Sequence, residues 1–250
     1  MVYASTDNQR PISKQLPLSF PFSLFRADSV KGRKWAVDYY SNTGQRSKIT
    51  GLYTGEWWRF GGKDGKECPH GQGSFTFNEK GEGSSTYEGS WVQGVWDGEG
   101  HVNHGDSYSY EGGWKANKKH GLGVWKLPGG DLYEGEFAEG MIHGKGTVQR
   151  TDGSSYSGEY SKNRMHGTGR QKFSNGNVYD GLYVNGKFHG IGAYTWADGH
   201  KYEGEFESGA KHGQGKLLNA DGQVIKEGTW ARNQSVKTGA SASGTSPSAQ

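Results

Sequence analysis

A chain of 250 residues with 44 glycines, 13% aromatic and only 31% hydrophobic residues is composed for short strands, many turns and aromatic packing, with little room for long helices. Six prolines argue against a collagen-like chain or a proline-rich linker, the lone Cys68 excludes an intrachain disulfide or a cysteine metal cluster, and no apolar run approaches the ~20 residues that span a membrane. The formal charge of +3 is uneven: residues 1–50 carry eight Lys/Arg against three Asp and residues 51–230 carry 19 Lys/Arg against 23 Asp/Glu, so the middle has no electrostatic reason to prefer nucleic acid.

Residues 1–50 form a basic arm without periodicity. Its most apolar stretch, PLSFPFSLF over residues 17–25, is short and broken by Pro21, and no compact hydrophobic core follows a basic start. No secretory signal is therefore expected, and the expected location is the cytoplasm. KGRK over 31–34 is a basic cluster, and WAVDYY over 35–40 reads as an irregular strand that caps the edge of the sheet to come.

From residue 51 the chain repeats. YEGSW starts at Tyr87, YEGGW at Tyr110, YEGEF at Tyr133, YSGEY at Tyr156, YDGLY at Tyr179 and YEGEF at Tyr202, every step being 23 residues. HGLG, HGKG, HGTG, HGIG and HGQG follow in phase from His120, His143, His166, His189 and His212, with DGEG at Asp97. An earlier unit opens as YTGEW at Tyr53 and reaches HGQG at His70. Its neighbour begins 34 residues on, so 11 extra residues fall in or near GGKDGKE and GEGSS. The last unit, KEGTW, has Lys226 where tyrosine is expected. Seven repeats and a partial eighth thus occupy 51–231, and 232–250 reads as a flexible tail.

Each unit reads as two strands. Tyr133, Gly135 and Phe137 share one face, with Glu134 and Glu136 on the other; in HGKGTV the pattern puts Gly144, Gly146 and Val148 together. The same parity selects Phe75, Phe77, Trp125, Leu127, Phe173, Tyr194, Trp196 and Leu217. Glu139-Gly140, Asn185-Gly186 and Ser208-Gly209 mark turns inside units. Asp152-Gly153, Asn175-Gly176, Asp198-Gly199 and Asp221-Gly222 mark the links, read as tight turns with positive φ. The expected fold is all-β: an elongated, twisted, single-layer antiparallel meander of consecutive β-hairpins, its core made where rings lie over glycine backbone.

Tyr133, Gly135, Phe137, His143, Gly144, Gly146, Asp152 and Gly153, with their counterparts at 23-residue steps, resemble the repeat of the MORN (membrane occupation and recognition nexus) family. The resemblance covers about three-quarters of the chain; it departs at Asp97, at Lys226, in the insertion and in both flanks. It implies the hairpin array. Families with such repeats include membrane-associated lipid kinases, membrane-junction proteins, flagellar radial-spoke proteins and cytoskeletal scaffolds, so it does not fix one function.

Apparent chemical motifs dissolve on inspection. None of the Gly-x-Gly pairs extends to GxxxxGK[ST]. Equivalent histidines lie two strands apart, about 9–10 Å, whereas zinc needs nitrogens at ~2 Å, so no metal site is expected. Glu111, Glu134, Asp180 and Glu203, with Glu136, Glu159 and Glu205, make an acidic ladder that reads as a solvated face or as a dock for a basic or amphipathic partner. A non-enzymatic chain without cofactor is expected. Tyr133, Phe137, Tyr156, Tyr160, Tyr179, Tyr183, Tyr202 and Phe206 are candidate anchors for a partner helix or extended segment wherever they are uncovered. Lys118, Lys119, Lys162, Arg164, Lys187 and Lys211 are the candidate lipid-facing residues. The leading reading is a protein scaffold, set by family analogy in a cytoskeletal, ciliary or flagellar (axonemal) complex; a peripheral adapter on anionic membrane is the alternative. A bare strand edge near Trp230 leaves a homodimer open.

Overall fold

The computed structural model describes residues 25–40, 45–60, 65–78, 84–105 and 107–236. These residues form seventeen strands and no helix. Three long strands come first: β1 (Phe25–Tyr40), β2 (Arg46–Phe60) and β3 (Lys66–Asn78). Then follow β4 (Ser84–Val92), β5 (Val95–Asn103), β6 (Ser109–Lys115), β7 (Lys118–Lys126), β8 (Leu132–Ala138), β9 (Met141–Gln149) and β10 (Ser155–Ser161). The array continues through β11 (Arg164–Lys172), β12 (Val178–Val184), β13 (Lys187–Thr195), β14 (Lys201–Glu207) and β15 (Ala210–Leu218) to β16 (Val224–Ala231) and the short β17 (Gln234–Ser235). Every strand pairs antiparallel with its sequence neighbours, making one open meander.

β1, which contains both KGRK and WAVDYY, lies along β2. The extra residues of the first unit divide between two places. Tyr53 to His70 is 17 positions where Tyr133 to His143 is 10, and His70 to Tyr87 is 17 where His143 to Tyr156 is 13. Seven residues therefore lengthen the β2–β3 hairpin and four its link to β4. At the other end the last hairpin turns at Arg232-Asn233, so the array runs on to Ser235.

The turns inside units are two-residue loops with both residues at positive φ. The pairs are Gln93-Gly94, Ala116-Asn117, Glu139-Gly140, Lys162-Asn163, Asn185-Gly186, Ser208-Gly209 and Arg232-Asn233, with φ of 47–53° then 66–92°. This primed geometry matches the twist of the flanking strands. The second residue's N–H also donates, at 2.8–3.0 Å, to a carbonyl of the preceding hairpin, as Gly140 does to Lys119 and Asn163 to Ile142. Where that residue is Asn, its Oδ1 accepts a second bond from the same residue: Trp96 N–H to Asn117, Ile142 N–H to Asn163, Lys211 N–H to Asn233.

The links between units are also tight turns, as expected, but differ in kind from those inside units. Only the glycine enters the left-handed region, Gly153 at φ 81°. The loop closes by Arg150 N–H to Ser154 O at 2.9 Å and Gly153 N–H to Arg150 O at 3.0 Å. Asp152 serves instead as a side-chain acceptor, its Oδ1 taking the Ser154 N–H at 2.8 Å, and Asn175 and Asp198 act likewise toward Asn177 and His200.

The core runs the length of the array. One glycine from each strand from β2 to β16 faces a glycine on the next, in the order 55, 73, 89, 100, 112, 123, 135, 146, 158, 169, 181, 192, 204, 215 and 228. Over each hairpin's glycine pair lies the tyrosine that opens the unit. Its hydroxyl donates at 2.8–3.2 Å to the carbonyl three residues on, from Tyr53 to Glu56 through Tyr202 to Glu205. That tyrosine meets, edge to face, the ring four residues on in its own strand and the equivalent ring of the next unit. Tyr133 touches Phe137 at 5.2 Å and Tyr160 at 5.5 Å; Tyr156 then touches Tyr160 at 5.1 Å and Tyr183 at 5.2 Å. The zigzag is unbroken from Tyr53 through Trp91 to Trp230. Such contacts add roughly 0.5–1.5 kcal/mol per pair beyond burial.

A side chain at the ladder glycines from 55 to 215 has no space. A Cβ on Gly158 would sit 2.5 Å from the Gly169 Cα and 2.6 Å from the Tyr156 hydroxyl. Gly158→Val is expected to cost about 3 kcal/mol or more, through overpacking against backbone that cannot yield. Glu159→Ala, which removes a carboxylate that accepts the Thr168 N–H at the sheet surface, is expected to cost clearly less. Urea unfolding followed by tryptophan fluorescence checks the order; equal losses would contradict it.

Candidate interaction surfaces

The eight aromatic residues read as possible anchors are all core. Tyr133, Tyr156, Tyr179 and Tyr202 are fully buried, as is Tyr183, and Phe137, Tyr160 and Phe206 nearly so. Each spends its ring on the zigzag, and burial pushes the hydroxyls of Tyr156, Tyr179 and Tyr202 up to about 12. In this packing they offer a partner no open ring face.

The six candidate basic residues divide. Lys162, Arg164 and Lys187 are exposed on the edge that carries the turns inside units. Lys118, on the same edge, is bonded to Glu139 at 2.7 Å and lies 5.0 Å from the Tyr40 ring. Lys119 is buried, its Nζ 4.0 Å from the Trp125 ring centre and 4.9 Å from that of Tyr110. Lys211 lies on Trp230 at 4.7 Å. These two lysines occupy the core position before the histidine, held elsewhere by Pro69, Trp96, Ile142, Met165 and Phe188. Sequence reading missed that position because its occupants share no chemistry; its constant place before His-Gly was the available signal.

The opposite face of the sheet is polar. His166, His189 and His212 stand there opposite Glu159, Leu182 and Glu205. Among the described residues, no three His, Cys, Asp or Glu side chains come together as metal ligands. Part of the acidic ladder has a local task. The glycine after the histidine is left-handed, Gly144 at φ 60°, Gly167 at 59° and Gly213 at 55°. It opens a bulge that frees the next N–H from the hairpin's own ladder. Glu136 Oε1 accepts that bond from Lys145 at 2.8 Å, Glu159 from Thr168 at 2.9 Å and Glu205 from Gln214 at 2.8 Å. At Asp97 the carboxylate instead accepts from Ala116 N–H at 3.1 Å.

A groove of about 960 Å³ crosses the strands on this face, floored by ladder-glycine backbone from Gly112 to Gly169. One wall is the cross-strand row Glu111, Val124, Glu134, Thr147, Ser157, Arg170 and Asp180. The other contains Glu99, Leu122, Lys145, Glu159 and Thr168. Five carboxylates thus face two cations. Arg170 pairs with Asp180 at 3.3 Å, whereas Glu99, Glu111 and Glu134 engage no described side chain. Leu122 is 73% exposed and Val124 40%, with Ile191 at 65% further along the same face.

The family model described as the MORN repeat matches residues 87–101, 110–132, 133–155, 156–178, 179–201 and 202–224. No curated protein matches the chain.

Lys119 yields a test of stability. Burial pushes its ammonium from 10.5 down to about 7, while the ring faces around it favour the charged form. Between those values the unfolded chain binds a proton that the folded chain lacks. This residue's contribution to stability therefore rises with pH across that window and is lowest at and below pH 7. Lys119→Met is expected to stabilise by about 1–3 kcal/mol near neutral pH, and by less at about pH 9. Urea midpoints of both chains at the two pH values check this; a gain that grows with pH would contradict it.

Proposed function

The chain belongs to the MORN repeat family, whose repeats are binding modules for proteins or membranes, and from that premise we propose that it is a non-enzymatic protein-interaction scaffold. The observation that carries this reading is the division of the two faces. The rings are spent on the core, and the polar face presents a long groove with unpaired carboxylates and exposed apolar side chains. A cytoskeletal complex of ciliary or flagellar type is the setting we favour, because free-standing arrays of this kind resemble radial-spoke and axonemal components; that step is family analogy. A second reading, a peripheral adapter on anionic membrane, has the exposed edge residues Lys162, Arg164 and Lys187 in its favour, although Lys118 is bonded to Glu139 and Lys119 is buried.

Detergent extraction of cells expressing the tagged full chain separates the two. The scaffold reading expects retention with the detergent-resistant cytoskeleton, unchanged in the triple variant Lys162→Glu, Arg164→Glu, Lys187→Glu. Release by detergent, together with sedimentation on phosphatidylserine vesicles that this variant abolishes, would establish the membrane reading instead.

A further inference from the structure

The scaffold reading leaves the bound partner's shape and chemistry unspecified, and the groove's dimensions narrow both. Its walls rise from residues that flank the floor glycine on one strand, such as Leu122 and Val124 about Gly123. Two residues of extended strand span roughly 7 Å. A helix with its side chains is about 10–12 Å across and cannot settle between such walls. A single extended chain can.

Charge and period add the rest. Glu111 and Glu134 are equivalent residues of successive units on β6 and β8, two strands apart, hence roughly 9.5 Å. Three residues of polyproline II chain advance about 9.3 Å. Glu99 faces them from the other wall, and the exposed side chains of Leu122 and Val124 on β7 lie between. The pattern breaks at Ser157, where the next unit has no carboxylate at this place. Lys145 and Arg170 also enter the lining beyond β8, so within this groove the acidic stretch lies on β5–β8.

We propose that this part of the groove binds an extended, basic protein segment laid across the strands, with a lysine or arginine at every third residue. The cations reach Glu111 and Glu134 in turn, Glu99 adds negative charge from the opposite wall, and the aliphatic stems lie on Leu122 and Val124. Lysine's flexible stem suits a carboxylate row that is exposed and monodentate as well as arginine's fork does.

Three synthetic probes test this against the full chain by fluorescence anisotropy. They are a Lys-Pro-Leu repeat, a peptide of the same composition with its lysines in one block, and an alanine-rich helix with lysine at every seventh position. The Lys-Pro-Leu repeat is expected to bind saturably, at least about tenfold more tightly than either control. Glu111→Gln with Glu134→Gln, or Leu122→Ser alone, is expected to weaken it by about tenfold or more. All three positions are exposed, and thermal melts that match the parent chain establish that the variants fold. Equal affinity for the three peptides, or binding that the variants leave unchanged, would overturn the proposal. No binding by any probe, with the chain still held in the detergent-resistant cytoskeleton, would overturn the groove assignment and leave the scaffold reading standing.

Discussion

A tyrosine ring lying flat over two glycines is the contact on which the array depends. A single-layer sheet has no second layer to bury its apolar face, so the rings must cover the backbone itself. That requires a missing Cβ on both strands beneath each ring, which Gly135 and Gly146 supply under Tyr133. It also requires the hydroxyl to find a partner once it has left water, which the Glu136 carbonyl supplies. The edge-to-face step to Tyr160 then ties the unit to its successor. Because each ring is shared between two units, no unit is complete alone, and stability spreads along the chain through nearest neighbours.

The second constraint acts at the turns. The bond from each second turn residue to the preceding hairpin sets the stacking of units independently of the rings. Asn117, Asn163 and Asn233 double it through their side chains, where Gly140, Gly186 and Gly209 cannot. The conserved geometry of the bulge after the histidine works in the same spirit: a carboxylate across the hairpin closes the N–H that the bulge releases. The ring-bearing side of the sheet is thereby committed to cohesion, and the other displays its side chains at a pitch set by the repeat.

Much of this was legible in the residues. The period fixed the strands, and their parity placed Phe75, Trp125, Phe173 and Leu217 on the core side, where they lie buried or half-buried. Gly-containing turns at 139–140, 185–186 and 208–209 were visible; those at Ala116-Asn117, Lys162-Asn163 and Arg232-Asn233 were not, because asparagine takes the glycine's place. Asp152-Gly153 and its equivalents marked the tight links, though not that only the glycine is left-handed there and that the preceding side chain accepts a backbone bond. Whether Tyr160 or Phe206 is covered depends on rings 27 residues away, so local parity gave the face without the exposure. Lys119 looked like a surface charge beside Lys118, yet the strand turns one outward and the other under Trp125. The groove was hidden for a related reason: its walls are assembled one side chain at a time from successive strands.

The most direct measurement of the shared-ring account is amide hydrogen exchange along the whole chain after Tyr133→Leu, a change that keeps an apolar side chain while removing the ring and its hydroxyl. The account expects protection to fall sharply around Gly135 and Gly146, less in the units that contribute Tyr110 and Tyr160, and not at all near Tyr202. A uniform loss across every strand, or protection unchanged over the glycine pair, would contradict it.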